Sequence, residues 1–189
     1  MATENAVNTE PIILGDGEVY MYEFEGAEIP EDSVIETDEH NVGDCSGGFS
    51  IDYKPDVYDV KNQYNKIVKR YIIGEKCTAK TGIIRWSLEK LSMLSTAKLT
   101  TTPATTSAPE KKKLVVGGDG NSLKTVLFRF VHTKEDGNKI RFTCIGQGGN
   151  GFALQFTTKE LSIDAQIEAI EYIKGFLFSL EEEIGTKKA

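Results

Sequence analysis

The chain has 189 residues, of which 39% are hydrophobic and 27% are charged, and its formal net charge is −7. This length suits a single well-buried domain, and no stretch approaches the roughly eighteen apolar residues that a membrane span requires. The first ten residues, MATENAVNTE, carry acid where a signal peptide would carry base, so we expect the chain to stay in the cytosol, with no membrane partner. Three widely spaced cysteines, Cys45, Cys77 and Cys144, indicate buried free thiols in a reducing compartment.

The charge is divided unevenly along the chain. Residues 1–60 contain sixteen acids and one base, whereas residues 61–189 contain thirteen acids and twenty-one bases. This division fits a disordered acidic leader beside an ordinary domain. It also fits an acidic surface on one copy that meets a basic surface on the next and sets a head-to-tail register. An acidic chain is a poor candidate for tight binding of nucleic acid.

The first third of the chain alternates between loop signals and strand signals. Residues 1–13 lack periodicity and are predicted to form a flexible N-terminal arm, with the folded domain spanning residues 14–174. Residues 18–24 alternate at strand period, and residues 42–53 resume strand character. Between them, residues 26–41 are acidic and interrupted by a proline, which predicts a loop.

The middle of the chain predicts a long hairpin followed by a helix. Residues 54–66 are polar and aromatic without a sustained apolar stripe, which indicates the tip of a hairpin whose return arm is residues 67–73. Residues 77–86 predict a further strand. A short helix is predicted from Ser87 to about Ala97, with Ser87 as its N-cap.

The second half begins with a low-complexity stretch, TTTPATTSAPE at residues 100–110, which predicts a surface loop. Three later segments alternate at strand period, and Asp136-Gly137 predicts a tight turn between the first two of them. Those segments are residues 124–132, 139–145 and 152–158. Residues 161–180 fit a strand and a helix almost equally well, and residues 175–189 are predicted to form a C-terminal arm.

The sequence therefore predicts about eight strands and one short helix, with turn signals at regular intervals. The pattern predicts a mainly β fold, a two-sheet antiparallel β-sandwich or barrel with one short flanking helix, and not alternating βαβ units.

Two glycine-rich motifs resemble nucleotide-binding or metal-binding loops. Residues 146–151, GQGGNG, match the dinucleotide fingerprint G-x-G-x-x-G, but the residues that follow, FALQFTT, alternate like a strand where the fingerprint requires a helix. We interpret this motif as a glycine-rich hairpin. Residues 117–121 lack the lysine of a P-loop and the acid spacing of a calcium loop, so they are interpreted as a turn. His40 and His132 do not stand at metal-ligand spacing, and we expect no catalytic residues, no metal site and no cofactor.

Several stretches in a fixed order resemble the major tail tube proteins of long-tailed, non-contractile bacteriophages and prophages. The opening is GDGEVYMYEFEGAEIPEDSVIETDEHNVGDCSGGFSIDYKP, and the strand and helix are IIGEKCTAKTGIIRWSLEKLSMLSTAK. The β-rich closing half runs from KKKLVVGGDGN through VLFRFVHTKEDGNKIRFTCIGQGGNGFALQF to ELSIDAQIEAI. The resemblance covers roughly residues 14–173.

This resemblance implies a structural virion protein and not an enzyme. Six copies would form a ring whose inner sheets join into one barrel, and the rings would stack into a tail tube through which DNA passes without specific binding. The resemblance also implies a tape measure protein and a tail terminator as partners, assembly in the cytoplasm of the bacterial host, and a final location in the virion tail. It favours a strand over residues 162–169.

Two sets of residues are candidates for contacts in such a tube. Asp164, Gln166 and Glu168 would lie opposite the apolar side of their strand, and we expect them to face the lumen, where negative charge repels DNA. The candidates for the contact between stacked rings lie in the hairpin tip, where tyrosines can act as interface anchors. These are Tyr58, Asp59, Asn62 and Tyr64.

An alternative from another class is a monomeric β-sandwich module that binds a sugar or a surface protein. Such a module would use exposed aromatic side chains as a platform, and Tyr20, Tyr22 and Trp86 are the candidates. An enzyme on a β-rich scaffold is the least favoured reading, because no constellation of catalytic residues stands out in the sequence.

Overall fold

A computed structural model describes residues 17–43, 45–83, 86–117, 123–149, 154 and 163–185, without the side chains of residues 45–47. The predicted N-terminal arm and, apart from Leu154, the predicted strand at 152–158 lie outside these residues. The described part of the chain is mainly β and contains two short helices, α1 (Asp32–Ile35) and α2 (Leu88–Met93). Its strands are β1 (Glu18–Glu23), β2 (Cys45–Lys61), β3 (Ile67–Ile83), β4 (Lys98–Thr102), β5 (Lys111–Val115), β6 (Thr125–Thr133), β7 (Lys139–Gln147), β8 (Ile163–Ala169) and β9 (Phe178–Glu182).

The strands form one large antiparallel sheet and one small one. The large sheet has the order β1-β6-β7-β8-β3-β2, with β9 added against β7, and β4 pairs with β5 alone. One edge of β7 pairs with β6, and its other edge pairs with two different strands. Residues 140–144 pair with β9, and only Gly146 and Gln147 pair with β8. Because β7 and β8 are joined by only two residue pairs, the sheet can fold over at this junction.

The large sheet folds back on itself into a sandwich. Phe49 of β2 stacks on Phe130 and Phe128 of β6, with ring centroids 4.2 and 5.9 Å away, although β2 and β6 are far apart in the strand order. Tyr53 of β2 meets Phe178 of β9 edge-on at 5.5 Å. The core between the layers is filled mainly by inward-pointing residues of β1, β3, β6, β7 and β8. The predicted antiparallel, mainly β sandwich is confirmed.

Strands β6 and β7, with the turn between them, were predicted correctly from alternation. They pair from Thr125–Gln147 to Thr133–Lys139, and Gly137 in the turn has a φ of 81°, which only glycine adopts without strain. The ambiguous segment at 161–180 contains β8, whose Ile163, Ala165 and Ile167 are buried. The helical alternative is therefore wrong for β8.

Residues 26–41, which the sequence predicted as an acidic loop, cover the outer face of the sheet, opposite the core. Leu127, Val131 and Ile145 form an apolar patch on that face, and Ile35 of α1 is fully buried against it. The expectation of a single helix was wrong, because α1 is a second one. Four residues are too short to show helical periodicity, and contacts with the sheet hold this turn in place.

Buried ion pairs attach α1 to the same outer face. Arg129, only 2% exposed, donates from Nη1 to Asp32 and from Nε to Thr143, and Arg141 donates from Nε to Glu36 at 2.5 Å. Arg141 also reaches Glu183, just beyond β9, at 2.7 Å. The group as a whole, called the ionic cluster below, comprises Asp32, Glu36, Arg129, Lys139, Arg141 and Glu183.

Helix α2 begins where predicted and ends earlier. The Ser87 hydroxyl accepts a hydrogen bond from the backbone N–H of Lys90 at 3.3 Å, which confirms the N-cap. The helix ends at Met93 and not near Ala97. The hydroxyls of Ser92 and Ser95 donate to carbonyls of the preceding turn, a local pairing that competes with continued helix.

The long hairpin is longer and its turn tighter than the sequence predicted. Strands β2 and β3 are each 17 residues long and continuous, so the predicted tip at residues 54–66 is wrong. The turn occupies only Asn62–Lys66, closed by a hydrogen bond from the Asn62 N–H to the Lys66 carbonyl at 3.0 Å. The full length of these strands was not evident from the sequence. Their outer halves have no buried side, so apolar and polar residues do not alternate along them.

Two further segments contain strands that were not predicted. Thr100–Thr102, inside the predicted Thr/Pro-rich loop, belong to β4 and pair with Lys111–Lys113 of β5. Phe178–Glu182, inside the predicted C-terminal arm, form β9 against β7.

Candidate assembly surfaces

The outer half of the β2–β3 hairpin extends beyond the sandwich. Cys77 and Ala79 near the base of β3 are buried, whereas every residue from Ile67 to Ile73 is exposed. We call residues 55–74 the hairpin arm. Its two strands pair up to the turn at residues 62–66, with bulges that leave Ile73 and Val68 without a register partner.

Both faces of the hairpin arm carry exposed apolar side chains. Tyr58 lies directly opposite Tyr71, so the two rings share one face, and Val57 lies opposite Ile72 on the other face. The exposed fractions of Tyr58 and Ile72 are 59% and 63%, and that of the bulged Ile73 is 70%. Exposed apolar side chains grouped in this way are typical of a binding surface.

The four residues predicted for ring stacking divide into two pairs. Tyr58 and Tyr64 are exposed and available for contact. Asp59 is ion-paired with Arg70 at 2.7 Å across the hairpin, and the Asn62 carboxamide oxygen accepts the backbone N–H groups of Tyr64 and Lys66. Within the subunit, Asp59 and Asn62 therefore shape the arm that presents the tyrosines.

Sequence reasoning missed the apolar residues of the returning strand. Tyr71, Ile72 and Ile73 are as exposed as the predicted tyrosines, and Val57 faces Ile72. The run IVKRYII at residues 67–73 carried the signal, but it was predicted only as the return arm of the hairpin, and the contact was predicted in the tip.

The three candidate lumen residues lie together on the outer face of β8. Asp164 and Glu168 are exposed and Gln166 is half-buried, while the residues between them point into the core. In register, Gly82 faces Asp164, Lys80 faces Gln166 and Thr78 faces Glu168.

This β8–β3–β2 face is polar but not purely acidic. Lys80 lies opposite Gln166 and Ser50 lies opposite Lys80, and together with Asp164 these side chains line a shallow depression. Farther along, Asp52 and Lys54 form an exposed ion pair at 2.6 Å. The sequence reasoning missed Lys80, because only the pairing of β3 with β8 places it there.

The aromatic platform of the alternative hypothesis does not form. Tyr20 is buried, and its hydroxyl donates to Glu18 at 2.5 Å. Tyr22 is half-buried and stacks on His40 at 4.0 Å, whereas Trp86 is exposed. These three side chains therefore do not share an open surface.

The possible metal ligands and the cysteines of the described ranges are the remaining groups to place. No cluster of three His, Cys, Asp or Glu side chains in these ranges could hold a metal ion. Cys77 and Cys144 are buried free thiols, as predicted, and burial raises the pKa of both; Cys45 has no described side chain. None of the helices in the described part of the chain is long and apolar enough to cross a membrane.

No model of a known protein family matches the chain, and no curated protein matches it either.

Proposed function

We propose that the chain is a structural subunit that polymerises into a tube, the tail tube of a long-tailed phage, through which DNA leaves the capsid. Six copies would form each ring, and rings would stack with tape measure and terminator proteins as further partners. The sequence resemblance described above and the surface of the subunit both support this proposal.

The hairpin arm is the observation that carries the proposal. A two-stranded ribbon exposed on both faces is marginally stable in water by itself, and its apolar side chains gain free energy only when something covers them. A second copy of the same chain can cover Tyr58 and Tyr71 on one face and Val57 and Ile72 on the other. Insertion between neighbouring subunits would use both faces at once.

The edge of the large sheet offers a second contact. Strand β2 ends the strand order and, within the described residues, pairs only with β3. An open edge of this length presents unpaired N–H and C=O groups and invites another strand. Pairing it with a neighbour in the ring would remove the edge and join the sheets of successive subunits.

The contact of the hairpin arm can be tested by mutating one residue on each of its faces. The double variant Tyr58→Ser, Ile72→Ser should leave the sandwich folded and its Tm nearly unchanged, because neither side chain is buried in the subunit. It should sediment as a monomer at concentrations where the wild-type chain forms large assemblies, as measured by analytical ultracentrifugation.

A matched control removes two exposed apolar side chains that lie outside every proposed contact, with Leu180→Ser and Ile184→Ser. This control should assemble like the wild type. Assembly of the Tyr58→Ser, Ile72→Ser variant at the wild-type concentration would remove the hairpin arm from the proposed contact.

The polar face of β8, β3 and β2 is the proposed lumen wall, with Asp164, Gln166 and Glu168 among its residues. Its lack of exposed apolar side chains suits a surface along which DNA slides. Lys80 on the same face means that repulsion of phosphate would come from a mixed surface and not from acid alone.

A further inference from the structure

The β4–β5 ribbon has one attached face and one open face. Leu114 packs against the hydrophobic core, and Lys112 on the same face is ion-paired with Glu89 of α2 at 2.8 Å. The register places Lys98, Lys111 and Lys113 on the opposite, open face, together with Thr100 and Thr102. All five of these side chains are exposed.

The open face of the ribbon is rich in hydrogen-bond donors. Lysine ammonium groups and threonine hydroxyls both donate to carboxylate oxygens. No ion pair joins Lys98, Lys111 or Lys113 to any residue that the structure describes. By contrast, Lys112, on the attached face, is already ion-paired with the Glu89 carboxylate.

The same chain carries a complementary surface. Within residues 25–39, called the acidic segment below, Asp32 and Glu36 belong to the ionic cluster. The other five acids are exposed and form no ion pair within the described ranges: Glu25, Glu28, Glu31, Asp38 and Glu39. Attachment of Ile35 and Asp32 to the sheet holds this segment as a defined surface and not as a loose acidic tail.

We infer that the open face of the β4–β5 ribbon docks onto the acidic segment of an adjacent copy of this chain. The inference rests on the proposed self-assembly and adds a polar contact that is separate from the hairpin arm. Nucleic acid is the less favoured partner for the lysines, because the chain as a whole is acidic and repels phosphate. Donor and acceptor lie on different surfaces, so the contact can repeat from copy to copy in a head-to-tail arrangement.

Zero-length carbodiimide cross-linking tests the contact directly. A mixture of ¹⁴N- and ¹⁵N-labelled protein should give mixed-isotope amide cross-links between Lys98, Lys111 or Lys113 and the acidic segment. Cross-links between these residues in only same-isotope pairs would show an intramolecular contact and overturn the inference.

Charge reversal supplies the energetic test. The variant Lys98→Glu, Lys111→Glu, Lys113→Glu should raise the concentration needed for assembly about tenfold or more at low salt, and much less at high salt. Adding Glu25→Lys, Glu28→Lys and Glu31→Lys to the same chain should restore assembly. The control is the pair Glu135→Lys and Lys174→Glu, two exposed residues outside both surfaces, and it should change little.

The remaining outcomes separate this inference from the proposed function. If the ribbon variant assembles like the wild type while the Tyr58→Ser, Ile72→Ser variant does not, self-assembly stands and the ribbon contact is refuted. If the ribbon variant loses binding to a duplex DNA fragment but assembles normally, the open face serves nucleic acid and the inference is wrong.

Discussion

Arg129 is the largest fully buried side chain of the described residues, and its charge decides how the outer face of the sheet is built. A guanidinium group removed from water must be ion-paired and hydrogen-bonded, because it cannot release its proton. Asp32, Glu36 and Thr143 satisfy it, and the two acids come from the segment that covers the sheet. The ionic cluster therefore anchors the acidic segment.

Glu36 is the residue through which this anchor is best tested. It contacts Arg129, Lys139 and Arg141, and it is nearly buried. Glu36→Gln should lower the free energy of unfolding by about 1.5–3 kcal/mol, because it removes the negative charge that Arg129, Lys139 and Arg141 share. Chemical denaturation measures this value. Glu135→Gln, on an exposed turn, is the control, and an equal effect of the two changes would refute the anchoring role.

The lowered pKa of Glu36 makes the stability of the domain depend on pH in the acid range. Burial acts to raise the pKa of Glu36, but the hydrogen bonds and charges of Arg141 and Lys139 outweigh it and hold the pKa below the usual 4.5. Stability from Glu36 is therefore present above pH 4.5 and is lost as the pH falls through the depressed pKa. Denaturation of the wild type at several pH values should show this loss, and Glu36→Gln should lack its share of it.

Gly146 shows how a single missing side chain permits the fold. A Cβ atom at this position would collide with the backbone carbonyl of Glu168 and with Ile167, at the short junction between β7 and β8. Its neighbour Gly148 lies equally close to the backbone of Leu94 at the end of α2. The first part of the glycine-rich motif is therefore explained by close packing of strand and helix.

Gly146→Ala should destabilise the domain by about 1–3 kcal/mol, because neighbouring backbone has to shift. Gly149→Ala is a close control, since its Cβ would meet only Leu123 at an ordinary 3.8 Å. Thermal unfolding followed by circular dichroism compares the two. The packing explanation fails if both variants unfold at the same temperature.

At the scale of the element, the hairpin arm is the part of the domain whose stability depends on its surroundings. In a monomer its backbone hydrogen bonds have no packed layer over them, so its amides should exchange with deuterium much faster than those of β6 and β7. In the assembled state the same amides should become protected. Hydrogen-exchange mass spectrometry measures both, and unchanged exchange of residues 55–74 on assembly would place the contact elsewhere.

How well each element could be predicted follows from what stabilises it. Alternation revealed β6 and β7, because one side of each strand faces the apolar core and the other side carries a charged residue, Arg129 or Arg141. The Ser87 cap marked the start of α2. The choice of strand for β8 needed its pairing with β3, since its periodicity was ambiguous. Helix α1 gave no periodic signal, because contacts distant in sequence stabilise it. The outer halves of β2 and β3 gave none either, because only cross-strand pairing supports them.

The candidate surfaces were predictable only in part for the same reason. Tyr58 and Tyr64 could be selected from residue type, and Asp164, Gln166 and Glu168 from alternation. The grouping of Tyr71 with Tyr58, or of Lys80 with Gln166, depends on register between strands, which the sequence does not state. The separation of Lys112 from Lys111 and Lys113 likewise required the pairing of β4 with β5.

At the scale of the whole molecule, unlike surfaces lie on different parts of one subunit. The hairpin arm leaves the β2–β3 layer, the acidic segment covers the opposite layer, and the ribbon packs on α2. Surfaces that complement one another without a shared two-fold axis generate rings or filaments, not closed dimers. The division of charge along the chain is thus part of the proposed mode of assembly.

The central claim is that the functional form is a polymer of identical copies, and electron microscopy of the purified wild-type chain tests it most directly. We predict hollow tubes of stacked six-membered rings, with the hairpin arm between subunits and Asp164, Gln166 and Glu168 facing the lumen. Isolated particles of one subunit at every salt and protein concentration would contradict the claim. Tubes with those three residues on the outside would contradict the proposed lumen.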